Sequence, residues 1–282
     1  MMIFFLLLLA VFNVTMFHWL GDLPSYLQLN SYTWESDEFR SMRLGEAVAK
    51  QDSIDSRLLA ALMTEHGFDL TGITAEEALE KEIGHLSNPV SLSNPAAAKY
   101  TRSAALKKLT NAYDMIFRDL EYFPIPKSSR PETPDVSYEN GWQDKRTYGG
   151  DRGHEGCDIM GNGRERGFYP VVSISGGVVE KMGWLEQGGW RIGIRTEAGV
   201  YLYYAHLYQY ADGLAEGMQV RAGDLLGYMG DSGYGKQENT VGNFDVHLHL
   251  GIYIKTDHYE ELSVNPYWIL RYLEKHRLIF YY

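Results

Sequence analysis

Two hydrophobic periods divide the chain. Between residues 22 and 121 apolar positions recur every three to four residues: Ile54, Leu58, Leu59, Leu62 and Met63 form one stripe, with Gly67 placed to cap its end. Ala105, Leu109, Ala112, Ile116 and Leu120 form a second, and Asn94-Pro95 supplies the N-cap and first-turn signals for that helix. Thr74-Ala75-Glu76-Glu77 is a capping box, with Ile73 as its staple, for a short helix that Gly84 ends. A small helical bundle over 22–121 follows. Beyond residue 140 the period drops to two, in short strands punctuated by glycine: Pro170 to Ile174, Gly177 to Trp184, Trp190 to Thr196 and Gly199 to His206. Asn265-Pro266 opens a last short helix to about Lys275. The fold class is therefore α+β and multidomain, an N-terminal helical bundle followed by an antiparallel β-sheet domain over 141–275. Prolines 124, 126, 131 and 134 mark 122–140 as an extended linker and domain boundary, and 276–282 reads as a C-terminal tail.

Composition narrows the partners. A formal net charge of −11 lacks the basic footprint that nucleic-acid capture needs. One cysteine excludes an internal disulfide and any multi-cysteine zinc site, and Cys157 reads as a small buried residue. Met1 to Phe12 is unbroken apolar sequence, extended without charge to Leu20, so residues 1–21 read as a signal peptide or, slightly favoured, an uncleaved membrane anchor. Either exports the rest, which predicts an extracytoplasmic protein.

Candidate chemistry concentrates in histidine. In Phe244-Asp245-Val246-His247-Leu248-His249-Leu250 the apolar residues alternate with two histidines, which therefore leave one face of a strand with Cα atoms roughly 6.5 to 7 Å apart. That suits a metal site or a paired acid and base. In Gly153-His154-Glu155-Gly156-Cys157-Asp158, His154 and Asp158 offer nitrogen and oxygen ligands of the kind zinc accepts beside a further histidine, leaving one position open. The surrounding glycines make a helix improbable, so this is a loop entering a strand with a turn near Gly156, and Glu155 is not the base of a helical HExxH site. Tyr203-Tyr204-Ala205-His206-Leu207 ends a third strand with His206. His18, His66, His85, His258 and His276 read as ordinary core or surface residues.

HxxxD, YAHL and HLH in this order resemble the lysostaphin/LytM-like zinc metalloendopeptidases of peptidoglycan, over about residues 137 to 270. The glycine-punctuated run Gly217 to Gly233 is similar to the segment preceding HxH in that family, although Val246 stands where the family has proline and the connection from Gly235 to Asp245 is longer. The resemblance implies a narrow groove over an antiparallel sheet, Zn2+ held by His154, Asp158 and His249, His206 and His247 handling protons and charge, and a peptidoglycan peptide as substrate. Asp231, Asp245 and Tyr204 are candidates for supporting groups, although turn or packing roles suit each better. A metal-free, silent family module that binds peptidoglycan or regulates another wall hydrolase is the alternative, but all five positions are filled. The glycine run also suits biotinyl and lipoyl carriers, yet Lys236 lacks their flanking residues. The Leu58 to Phe68 helix faintly resembles the one carrying the catalytic Glu of lytic transglycosylases; for Glu65 a solvated face is the better reading.

Overall fold

A computed structural model describes residues 29–76, 78–81 and 103–282. Among them the helices are α1 (Asp37–Arg40), α2 (Gly45–Ala49), α3 (Ser56–Glu65), α4 (Ala104–Phe117) and α5 (Tyr267–Leu273). The expected bundle over 22–121 is not established; among the described residues this segment holds a few mostly short helices. Met42 at φ 47° and Gly45 at φ 78° take left-handed backbone and separate α1 from α2. In α3 the expected stripe is buried through Leu59, Leu62 and Met63. Asp55 caps its start by accepting from the Arg57 and Leu58 amides, and Gly67 at φ 61° follows its end. In α4 the buried face is Leu106, Leu109, Ala112, Tyr113, Ile116 and Phe117, one position round from the predicted stripe at its start. The described part of that helix begins where Ser103 Oγ accepts from the Leu106 amide. Asn94-Pro95 and residues 1–21 lie outside the described residues. The capping-box helix lies only partly within them. Glu65 is exposed to solvent. Among the described residues no helix is long and apolar enough to cross a membrane.

The strands are β1 (Lys127–Ser128), β2 (Ser137–Tyr138), β3 (Lys145–Arg146), β4 (Arg152–Gly153), β5 (Cys157–Met160), β6 (Pro170–Val172) and β7 (Gly177–Leu185). They continue with β8 (Gly189–Arg195), β9 (Tyr201–Tyr210), β10 (Gln219–Val220), β11 (Leu225–Met229), β12 (His247–Ile254), β13 (Leu262–Val264) and β14 (Ile279–Phe280). The main sheet runs β10-β7-β8-β9-β12-β5-β2, with β11 joining β9 to β6 and β13 on β12. Every pairing in it is antiparallel. Alternation decides which face is core: Leu248, Leu250 and Ile252 of β12 and Leu202 and Tyr204 of β9 are buried, while the intervening residues face a cleft.

Two expectations need correction. The segment 122–140 is extended but not free, because Phe123 and Ile125 are large apolar side chains that the core takes up, at 1% and 0% exposure. The presumed tail 276–282 supplies β14, which pairs with β1 in parallel, and the Tyr282 hydroxyl donates to the Pro126 carbonyl at 2.7 Å. The helical part is tied to the sheet as well. Arg40 Nε donates to the Ser263 carbonyl, Arg271 pairs with Glu46 at 2.8 Å, and the apolar residues of both parts form one cluster.

Candidate active site

Strand register assembles the first three candidates. On β12, His249 stands directly opposite Asp158 of β5 on one side and Ala205 of β9 on the other. Opposed residues on one sheet face lie close, so this pairing alone brings an imidazole to a carboxylate. His154 arrives from the turn between β4 and β5, its amide donating to the Asp144 carbonyl and its own carbonyl accepting from Gln143. Three atoms then converge: His154 Nε2 lies 3.0 Å from His249 Nδ1 and 3.1 Å from Asp158 Oδ1, and His249 Nδ1 lies 3.0 Å from Asp158 Oδ1. Two nitrogens and an oxygen in a triangle of this size suit a first-row divalent cation of the zinc type. Glycine makes the approach possible. A Cβ on Gly156 would come within 2.5 Å of His249 Nε2 and 2.7 Å of the Leu250 carbonyl oxygen, so no other residue leaves room for the ring.

The surroundings orient these donors. His154 Nδ1 lies 3.0 Å from both the Gly141 carbonyl and Arg146 Nη2; with its proton on Nδ1 it donates to that carbonyl and leaves the Nε2 lone pair facing the triangle. Arg146, on the β3–β4 hairpin, donates to Asp158 Oδ2 at 2.7 Å and so leaves Oδ1 for the triangle. Burial would raise the Asp158 carboxyl, but hydrogen bonds from His154 and His249 outweigh it and hold the group well below the usual carboxylate range. Burial lowers His249, against the opposing pull of Asp158.

The other two histidines sit beside the triangle. His206 does not end its strand: β9 runs on to Tyr210, and His206 occupies a bulge at φ 63°, where Ala205 and His206 together oppose Arg191. The bulge turns His206 to the cleft face between the core residues Tyr204 and Leu207. Its Nδ1 lies 2.7 Å from the Ser232 carbonyl, and His247 Nδ1 lies 2.7 Å from the Asp245 carbonyl. Both rings thus carry their proton on Nδ1 and keep Nε2 as an acceptor; His247 Nε2 is 3.7 Å from Asp158 Oδ1. The two ring centres are 4.7 Å apart. Burial, reinforced by the neighbouring His247 and His249, pushes His206 well below its ordinary value, so that it is neutral at physiological pH.

An aromatic wall that the sequence did not announce closes this side. Tyr148 stacks on Tyr234 at 4.4 Å, Tyr234 packs on Phe244 at 4.9 Å, and Phe244 contacts His206 and His247 at 4.6 and 5.0 Å. The long 235–245 connection is held by its own bonds, Gly233 amide to Thr240 carbonyl and Asn243 Nδ2 to Tyr234 carbonyl, and by Trp190 Nε1 on Asn239. Arg146 and the Gly141 and Ser232 carbonyls were equally silent in sequence, since a two-residue strand shows no period and a carbonyl has no residue type. Asp231 is buried and engages Arg166 and the Gly242 amide, Tyr204 accepts from the Ile174 amide in the core, and Asp245 contributes its carbonyl. Cys157 points away into the core, as alternation requires.

Residues 152–266 match peptidase family M23. An L-Ala–D-Glu endopeptidase of Bacillus subtilis (strain 168) is 42% identical over 169 residues, 60% of this chain and 48% of that protein, so the chain spans about half the length of this curated relative. A crystal structure from Ruminococcus gnavus, provisionally named a glycyl-glycine endopeptidase, lytM, superposes with a TM-score of 0.74 at 36% identity, covering 92% of this chain and 98% of its own. The shared part is longer than the sheet region alone. With a relative this similar over nearly its whole length, and with the family pattern lying on the strands that build the cleft, the chain belongs to peptidase family M23.

Proposed function

We propose that the protein is a zinc-dependent endopeptidase that hydrolyses peptide bonds in peptidoglycan stem peptides or cross-bridges. The observation that carries this reading is the single cleft in which three convergent donors meet two imidazoles, each with an Nε2 free to accept. His154, Asp158 and His249 would hold the ion. Zinc bound there would supply Lewis acidity, polarising an amide carbonyl and acidifying water.

The chain's own groups account for the proton traffic. His206 is neutral, desolvated and fixed by Ser232, and so acts as the base that takes a proton from the attacking water. His247, fixed by the Asp245 carbonyl, faces the same space with Nε2 as an acceptor; once that nitrogen has taken up a proton it can stabilise the developing oxyanion and pass the proton to the leaving amine. The aromatic wall keeps bulk water from this pair and confines the peptide to one direction along the groove. Export by the apolar residues 1–21, as an anchor or a signal, would set the enzyme on the wall side of the membrane, with 22–121 as a spacer or docking module.

The two relatives name different bonds. The Bacillus protein is named for L-Ala–D-Glu, whose second residue carries a free carboxylate, and the Ruminococcus one for a bond between glycines, which carry none. Incubation of the zinc-loaded chain with purified peptidoglycan, followed by mass spectrometry of the fragments, tests the proposal. New peptide termini are expected, and an unchanged fragment profile with zinc bound overturns it.

A further inference from the structure

Acidic side chains outnumber basic ones by 37 to 26, so most arginines here find a carboxylate. Arg40, Arg146, Arg195 and Arg271 all do. Arg152 and Arg191 stand apart. Neither side chain makes a hydrogen bond or ion pair among the described residues, and each buries one nitrogen, Nε of Arg152 and Nη1 of Arg191, without a partner. A buried donor of this kind is costly to leave unmade, and a guanidinium is built to grip a carboxylate with two parallel bonds.

Their position gives the missing partner a place. Arg152 is two residues before His154 and lines the cleft together with Tyr203 and Tyr253. Ile192 pairs with Tyr204 on the core side of the sheet, so Arg191 alternates to the side on which Tyr203 stands. Burial pushes the Tyr203 hydroxyl up, and the positive charges of Arg191 and Arg152 oppose that rise. Gly193 and Gly251 flank Tyr203 in register on the two neighbouring strands; the Tyr201 and Tyr253 side chains lie over them, and a Cβ on Gly188 would collide with the Tyr203 hydroxyl, so glycine lets the tyrosines lie flat along this side of the cleft. The neighbouring acids are engaged elsewhere: Asp151 pairs with Lys145 at 2.9 Å and Glu155 turns toward Arg40 at 3.6 Å.

We propose that Arg152, with Arg191 and the Tyr203 hydroxyl behind it, forms a subsite for the free carboxylate of an acidic residue adjoining the scissile bond. The substrate is then an acidic stem peptide and not a glycine bridge. The inference rests on the hydrolase reading above and adds a direction to the groove: the triangle and outer histidines cut, and the arginine side selects.

Two synthetic peptides test it, one containing L-Ala–D-Glu with a free carboxylate and one in which that carboxylate is a carboxamide. The zinc-loaded wild type should favour the acid by about 10- to 100-fold in kcat/KM, the range expected for a charge-assisted bond made in a desolvated site. Arg152→Gln should collapse the ratio to within about 3-fold, and Arg152→Lys should restore part of it, because one charge survives without the fork. A wild-type ratio near one, or an unchanged ratio in a folded Arg152→Gln protein, overturns the subsite. Should Arg152→Gln fail to fold, Arg191→Gln is read in the same way. If the wild type cleaves neither peptide, calorimetric binding separates the two ideas. Tighter binding of the acid peptide that is lost in Arg152→Gln keeps the subsite and sinks the hydrolase, whereas equal binding of both peptides sinks the subsite.

Discussion

The two groups of imidazoles around the cleft are held by different means. His154 and His249 aim at each other and at Asp158 across about 3 Å, an arrangement fixed by strand register and completed by side chains. Among the described residues His206 and His247 aim at no protein atom within hydrogen-bonding distance through Nε2; each is turned by a backbone carbonyl, and His206 needs a bulge to reach the cleft at all. The first set is shaped to surround something and the second to exchange protons with something that comes and goes. Removing a member of each should therefore give different phenotypes.

The largest effect is expected from the triangle. His249→Ala takes one of three donors from a site whose remaining two cannot enclose an ion, so zinc content should fall from about one per chain toward none, with hydrolysis lost alongside. Elemental analysis beside a peptidase assay checks it, and a variant that keeps full zinc would break the comparison. For the outer pair, His206→Ala or His247→Ala should retain zinc and lower kcat by about 10²- to 10⁴-fold, the usual worth of a positioned acid or base. The double variant should lose less than the product of the two, because both serve one proton inventory. Loss of zinc on removing His247 would reverse the roles along β12.

Gly156→Ala sharpens the same contrast without touching a donor. The new methyl would meet the His249 ring and the Leu250 carbonyl, one a side chain and the other strand backbone, so the ring must move away from the triangle. Zinc affinity should fall by about 10- to 100-fold, as for loss of an orienting group, whereas Gly163→Ala, with open space around it and only its φ of 79° strained, should leave affinity as it was. Competition with a chelator of known affinity reads the difference.

What the sequence could and could not tell follows from the same distinction. Period two on β12 gave the shared face of His247 and His249, and motif order gave their companions, because strand alternation and residue type are local properties. The glycines around His154 could be read as breakers of helix, but Gly156 is also glycine because a ring ninety-three residues away lies on it, a contact no local window contains. The bulge at His206, the carbonyls that fix tautomers, and the Tyr148–Tyr234–Phe244 wall depend on register and on loops meeting, so they wait for the fold. In the helical part the same limit worked against the reading. Period 3.6 was right for α3, but for α4 the starting phase was set by packing that the pattern alone does not contain.

The smallest expected effect is on stability as pH changes, and it reads the burial of His206. Burial places His206 below its ordinary value of 6.5 in the folded chain, so on acidification the unfolded state takes up a proton that the native state refuses. The sign is fixed: stability is fully present above pH 6.5 and falls as pH drops below it, by up to about 1.4 kcal/mol per pH unit for one proton. His249 is lowered as well and adds in the same direction, and the depressed Asp158 contributes further only at much lower pH. Urea unfolding of the zinc-free chain at pH 7.5 and 5.5 should show the decline, and His206→Gln, which cannot titrate, should flatten part of it. An equally steep decline in His206→Gln would mean that the desolvation assigned to His206 is not felt in the folded chain, and the difference drawn between the two sets of imidazoles would lose its electrostatic half.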